Sequence, residues 1–293
     1  MKKIALLAGL IFTTSLLIAQ KPLEFLEKET RLPAFPFGVI DNIKSSELSE
    51  SRILNIYLPE GYNKDSAKLY PVVYLLDGSA NEDYPHISGL VQFLNMSDLM
   101  PKSIVVGIAN VDRKRDFTFP TTIPEDVKAY PTTGKSERFM TFIEKELQPY
   151  IEKNYKTNES KTLIGQSLGG LLATEILLKK PDLFDDFIII SPSLWWDNES
   201  LLNKLPEYLK SNPLSKKRIF IGVGNEHPTM VKDTKALSES LEKQLDKSNQ
   251  LIYKYFADEN HATILHTSVY AAFILLNKKW VIKKSLPQTM ERI

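Results

Sequence analysis

The sequence predicts an α/β fold, a mostly parallel central sheet with helices on both faces. Three observations carry that expectation. Short apolar runs, at Pro71–Gly78, Ser103–Asn110 and Phe187–Ser191, are continuous rather than alternating, as strands covered on both faces are. Longer stretches with apolar residues every three or four positions fall between and after them. Gly165-Gln166-Ser167-Leu168-Gly169 then joins an apolar run to a helix-forming stretch, a pattern suited to a sharp strand-to-helix turn.

From the N-terminus, Lys2 and Lys3 precede an apolar stretch, Ile4 to Ile18, and then Ala19. A basic start, a short greasy run and a small residue describe a secretory signal peptide over residues 1–19, cut after Ala19. The alternative is an uncleaved anchor, for which the run is short. Residues 20–293 are then read as one domain. Lys21–Phe37 is a charged, proline-bearing arm. Val39–Lys44 and Arg52–Leu58 read as strands joined by a polar turn, followed by Pro71–Gly78 and Ser103–Asn110. Lys135–Tyr155 reads as a long amphipathic helix with Phe139, Phe142, Ile143, Leu147 and Ile151 on one side. Thr162–Ile164 is the strand before Ser167, and Leu168–Lys180 the helix after it, stopped by Pro181. Strands at Phe187–Ser191, Arg218–Gly224 and Leu251–Ala257 alternate with helices at Thr229–Lys247 and Ala262–Lys279. The polar stretch Trp195–Lys217 is the candidate insertion or lid.

Composition narrows the function classes. A net charge of +1 gives no reason to expect nucleic acid or an anionic membrane as partner. With no cysteine, disulfides, thiolate metal sites and a cysteine nucleophile are excluded. Beyond the N-terminal run, no segment is long and apolar enough to span a bilayer.

Ser167 is the candidate nucleophile. Gly165 and Gly169 supply the small neighbours that a tight turn needs, and the helix start aims free N–H groups at the same spot. The plain alternative is a bystander serine in a turn. A serine needs a base, and among the four histidines His261 fits best, in a polar loop after the last strand; otherwise it is a surface helix-capping histidine. The acid belongs after the penultimate strand, where Glu226 follows Gly224-Asn225. Asp233 is the second candidate, and Asp258 lies too near His261 in sequence. The oxyanion hole would take its amides from Leu168 and from Ser79, beside Gly78, while Asp77 braces that loop or is an ordinary turn residue.

In order along the chain, "YPVVYLLDG", "VVGIANVDRKRDFTF", "FIEKELQPYIEKNY", "TLIGQSLGGLLATEILLKKPDLF", "ISPSLWWDNESLL", "IGVGNEH" and "ENHATIL" resemble the "Putative esterase" family of α/β-hydrolases. That family includes siderophore (enterobactin) esterases, feruloyl and acetyl esterases, S-formylglutathione hydrolases and mycolyltransferases. The resemblance runs from Arg52 to Trp280. It implies the α/β-hydrolase fold, Ser167 as nucleophile, His261 as base, an acid after "GVG" and Ser79 as an oxyanion donor. "RKRDF" followed by "SPSLWW" looks most like the siderophore-esterase branch. Arg113, Lys114 and Arg115 would hold an anionic catecholate, unless Arg115 and Asp116 form a structural ion pair. Trp195 and Trp196 would form an aromatic wall, unless one is core and the other supports a lid. The expectation is an exported serine esterase acting on a small-molecule ester, with no metal or organic cofactor, and a siderophore trilactone as a substrate. A carbohydrate acetyl or feruloyl esterase, an acyltransferase, and an inactive ligand-binding homologue are the alternatives.

Overall fold

A computed structural model describes residues 37–278 and Trp280. The expected signal peptide, nearly all of the Lys21–Phe37 arm and the last residue of the helix expected over Ala262–Lys279 lie outside these residues. Among the described residues, those from Gly38 onward form one compact unit. No helix among the described residues is long and apolar enough to cross a membrane.

Eight strands make one sheet. They are β1 (Val39–Ser45), β2 (Glu50–Tyr57), β3 (Tyr70–Leu75), β4 (Ile104–Ile108), β5 (Thr157–Gln166), β6 (Asp186–Ile190), β7 (Arg218–Gly224) and β8 (Gln250–Phe256). Their order is β1-β2-β4-β3-β5-β6-β7-β8. β1 and β2 pair antiparallel, as do β2 and β4; every other pairing is parallel. β3 lies between β4 and β5, so the strand order reverses there, and the carboxyl ends of the strands at such a point are where sites form.

The helices are α1 (Tyr84–Met96), α2 (Arg113–Phe117), α3 (Pro124–Ala129), α4 (Ser136–Phe142), α5 (Gln148–Asn154), α6 (Leu168–Lys179), α7 (Trp196–Asn203), α8 (Leu205–Ser211), α9 (Pro228–Glu242) and α10 (Ile264–Leu276). Adjacent side chains of a strand point to opposite faces. Val72, Tyr74, Leu163, Phe187 and Ile189 join the core beneath α6, with Leu171, Ile176 and the α4 side chains Phe139 and Phe142. On the other face Ile190 and Phe220 meet Ser268 of α10 around Gly222, and α1 packs against α10. Because both faces are covered, β6 is buried at every position, which accounts for its unbroken apolar run.

Two expectations change in detail. The helix expected over Lys135–Tyr155 is interrupted by a π turn at Ile143–Leu147, where the amide of Gln148 donates to the carbonyl of Ile143, five residues back. Pro149 follows and has no N–H to give the preceding turn, so the wider turn absorbs a break in the α ladder. The turn also carries Glu146, whose carboxylate accepts from the Ser45 hydroxyl and from the amides of Ser46 (2.8 Å) and Glu47 (3.1 Å), fixing the β1–β2 connection. The segment expected as an insertion or lid, Trp195–Lys217, folds as α7 and α8 between β6 and β7. Leu201, Leu205, Leu209 and Leu214 are buried in the main core, so it is a packed layer rather than a hinged flap.

Candidate active site

Ser167 sits where β5 turns into α6, with φ 58° and ψ −120°. A side chain in that backbone region is strained and persists only when its surroundings hold it. Here the Ser167 amide donates to Ile190 O (3.1 Å), while its carbonyl accepts from Leu171 N (2.9 Å) and Ser193 N (3.0 Å). The end of β6 thereby laces the turn in place. At Gly165 a Cβ would come 2.3 Å from the carbonyl oxygen of Gly169, so only glycine lets strand and helix approach this closely.

Glu226 follows β7, and His261 lies in the loop after β8. Glu226 Oε2 is 2.6 Å from His261 Nδ1. The other carboxylate oxygen accepts from the Ser191 hydroxyl and from the Gly224 amide (3.1 Å). Burial alone would raise the carboxyl's pKa, but the bonds from His261, Ser191 and Gly224 outweigh it and hold it below its ordinary value. An ionised carboxylate on Nδ1 favours the tautomer with the proton on that nitrogen, leaving Nε2 as an acceptor. The Gln166 side chain donates to the His261 carbonyl, and Asn225 N donates to Glu259 O (2.7 Å), so both loops are tied to the strands beside them. Asp233, the second acid candidate, is on α9 with Lys232 Nζ 3.2 Å away; the contact to His261 belongs to Glu226.

Ser167, Ser193, Trp195, Glu226, Met230 and His261 face one cavity of about 580 Å³. The Ser167 hydroxyl is bonded to Ser193 Oγ at 3.3 Å, not to His261. The Leu168 amide opens α6, where N–H groups have no intrahelical acceptor. The Ser79 amide points toward Glu82 Oε2 through a long 3.4 Å contact, and the Ser79 hydroxyl accepts from Asn110 N (3.1 Å). Gly78 is needed beneath this loop, because a Cβ there would lie 2.4 Å from Gly107 Cα. A second cavity of about 460 Å³ lies at the opposite edge of the sheet, near Ser103, Thr162, Asp186 and Arg218, with no histidine in its walls.

The four residues expected to bind substrate separate. Trp195 borders the cavity. Trp196 does not: it is wholly buried, its Nε1 donates to Phe119 O (2.9 Å), and it packs edge-on to Tyr130. Arg115 is likewise structural. It grips Glu50 (2.7 and 3.0 Å) and Asp116 (2.7 and 3.1 Å), and the fully buried Arg52 closes the network on the same two carboxylates. Arg113 is a brace rather than a free cation. Its guanidinium is bidentate on Asp77 (2.6 and 2.8 Å) and touches Gln166 O (3.3 Å), one residue before Ser167. That leaves the exposed Lys114, whose Nζ lies 4.6 Å from the Tyr130 ring centroid; Tyr130 in turn packs on Trp195.

Sequence reading missed Ser191, Ser193 and Gln166. Ser191 and Ser193 directly follow β6 in "SPS", a polar break after an isoleucine run at a carboxyl edge, and that was the available signal.

A serine on a strained strand-to-helix turn, with a carboxylate-held histidine on the same cavity, defines the class: an α/β serine hydrolase. Comparison with known proteins carries it further. The "Putative esterase" family model matches residues 45–270, and the chain belongs to that family of carboxylic ester hydrolases. It is 30% identical over 253 residues to the ferri-bacillibactin esterase BesA of Bacillus subtilis (strain 168), covering 78% of this chain and 86% of the relative. Among solved structures it is similar to an IroE-like serine hydrolase from Shewanella oneidensis, with 34% identity, TM-score 0.75, and 82% and 80% of the two chains covered. It is also similar to the BES protein from Bacillus cereus, with 30% identity, TM-score 0.73, and 84% and 98% covered.

Proposed function

We propose that this esterase hydrolyses the trilactone of a ferric catecholate siderophore through Ser167, His261 and Glu226, and that it is exported. The observation that carries the catalytic reading is the 2.6 Å contact of Glu226 with His261 Nδ1 on the cavity that Ser167 also faces. In the first step the Ser167 hydroxyl turns from Ser193 to His261 and attacks the ester carbonyl carbon. His261 Nε2 takes the hydroxyl proton, and the ionised Glu226 stabilises the imidazolium. The carbonyl electrons move onto oxygen, where the Leu168 amide and, with Glu82 turned aside, the Ser79 amide receive the negative charge. Collapse of the tetrahedral species breaks the ester C–O bond, and the imidazolium gives its proton to the leaving alkoxide. Water, activated by His261, then releases the acid and restores the serine.

The substrate reading rests on the similarity to the ferri-bacillibactin esterase and on the surroundings of Trp195 at the cavity's border. Trp195 offers a flat face to a catechol ring, and Lys114, held over the Tyr130 ring that packs on Trp195, adds a positive charge for an anionic complex. The test is a comparison of kcat/KM for an iron-loaded tricatecholate trilactone, the same trilactone without iron, feruloyl and acetyl sugar esters, and a short p-nitrophenyl ester, with Ser167→Ala as control. A clear preference for the trilactones, and a Lys114→Ala variant that raises KM for them alone, is the expected result. Equal or better turnover of the sugar esters would overturn the substrate assignment, and full activity in a folded Ser167→Ala variant would overturn the catalytic one.

Export is supported by Lys2, Lys3 and the apolar run Ile4–Ile18. N-terminal sequencing of the mature protein is expected to begin at Gln20, and an intact N-terminus on the functional protein would contradict it.

A further inference from the structure

His86 and His266 lie outside the site described above, on the first turns of α1 and α10. Their Nδ1 atoms are 3.2 Å apart and their ring centroids 5.5 Å. The spacing has two readings. One is a shared hydrogen bond between neutral rings. The other is a chelate: two imidazole nitrogens bound about 2.05 Å from one tetrahedral zinc are about 3.3 Å apart. His86 Nε2 faces Asp83 Oδ1 at 3.3 Å. A carboxylate there holds the proton on Nε2 and turns the lone pair of Nδ1 outward, the arrangement commonly found behind metal-binding histidines. His266 is free to place its proton on Nε2 and present Nδ1 in the same way.

From this geometry we infer that His86 and His266 form a surface chelate for one divalent transition metal, completed by solvent and oriented by Asp83. Both rings reach solvent, so a metal and its water ligands have access. The other two histidines are committed elsewhere: His261 Nδ1 to Glu226, and His227 Nδ1 to the amide of Thr229. Imidazole donors suit copper(II) and zinc, and the usual order of affinities puts copper(II) first. The consequence is mechanical. α1 follows the Asp77–Ser79 loop and α10 follows His261, so a bound ion ties the helix behind one oxyanion donor to the helix behind the base.

The probe is copper(II) added to the untagged full chain, read by calorimetry and electron paramagnetic resonance, with zinc as competitor. One equivalent with a two-nitrogen signature is expected, displaced by zinc only when zinc is in large excess. At a free concentration about a hundredfold above Kd the unfolding temperature should rise by roughly 5 °C. His86→Ala and His266→Ala should each lose the tight equivalent, Asp83→Asn should weaken it by roughly tenfold, and His261→Ala should keep it. No tight equivalent in the wild-type chain, a one-nitrogen signature, or binding retained in either His86→Ala or His266→Ala overturns the inference.

Discussion

Ser191 gives the account its most demanding test away from the reacting atoms. Its hydroxyl is wholly buried and donates to Glu226, leaving that carboxylate with bonds from His261 and Gly224 if it is removed. A hydrogen bond to a charged group is worth about 1.5–3 kcal/mol. If the loss falls wholly on the transition state, where the imidazolium leans on Glu226, kcat drops by about 10- to 150-fold. Ser191 also has φ 42°, a conformation that glycine adopts without strain. Ser191→Gly therefore removes the hydroxyl while relieving the backbone, and Ser191→Ala removes it while keeping the strain. Steady-state hydrolysis of a p-nitrophenyl ester, with thermal unfolding as the control on folding, should give both variants a similar fall in kcat and little change in KM. A folded Ser191→Gly with wild-type kcat would refute the idea that this hydroxyl positions the acid.

The two tryptophans should part company. Trp196→Ala empties a buried site and should cost about 3–5 kcal/mol, seen as a fall in unfolding temperature of roughly 10 °C, whereas Trp195→Ala should raise KM and leave that temperature nearly unchanged. Arg115→Ala removes one of two cations from Glu50 and the buried Asp116, and should destabilise by about 3 kcal/mol with KM intact; a KM effect without a stability effect would return Arg115 to substrate binding. Burial raises the pKa of Asp233, so between its ordinary value of 3.8 and the raised one the folded state holds the extra proton and stability falls as pH rises. As pH rises from 3.8, the urea midpoint of the wild type should fall relative to that of Asp233→Asn.

Much of the fold was legible because buried parallel strands write themselves as unbroken apolar runs, as at Phe187–Ser191. Where the signal is weaker, the reading stopped short. The first half of β5 is polar, and its membership in the sheet comes from pairing with β3, which no local pattern reveals. α1 was missed although Pro85 opens it, since Gly89 and polar residues dilute its apolar stripe. At the candidate site, Ser167, Glu226 and His261 were legible as candidates because each follows its strand in chain order. The fate of a charge or an indole was not. Arg115 is taken up by Glu50, sixty-five residues away, and Trp196 by the carbonyl of Phe119. Such partners are chosen by tertiary packing, so the strings "RKRDF" and "WW" leave the substrate reading and the structural one, an Arg115–Asp116 ion pair and a core tryptophan, both open.

The central claim is that Ser167 is an activated nucleophile. It is tested most directly by treating the protein with a fluorophosphonate and mapping the adduct by peptide mass spectrometry. One adduct on the Ser167 peptide, forming far more slowly in His261→Ala and absent in Ser167→Ala, is the expected result. An unlabelled Ser167 in a preparation that still hydrolyses esters would contradict it.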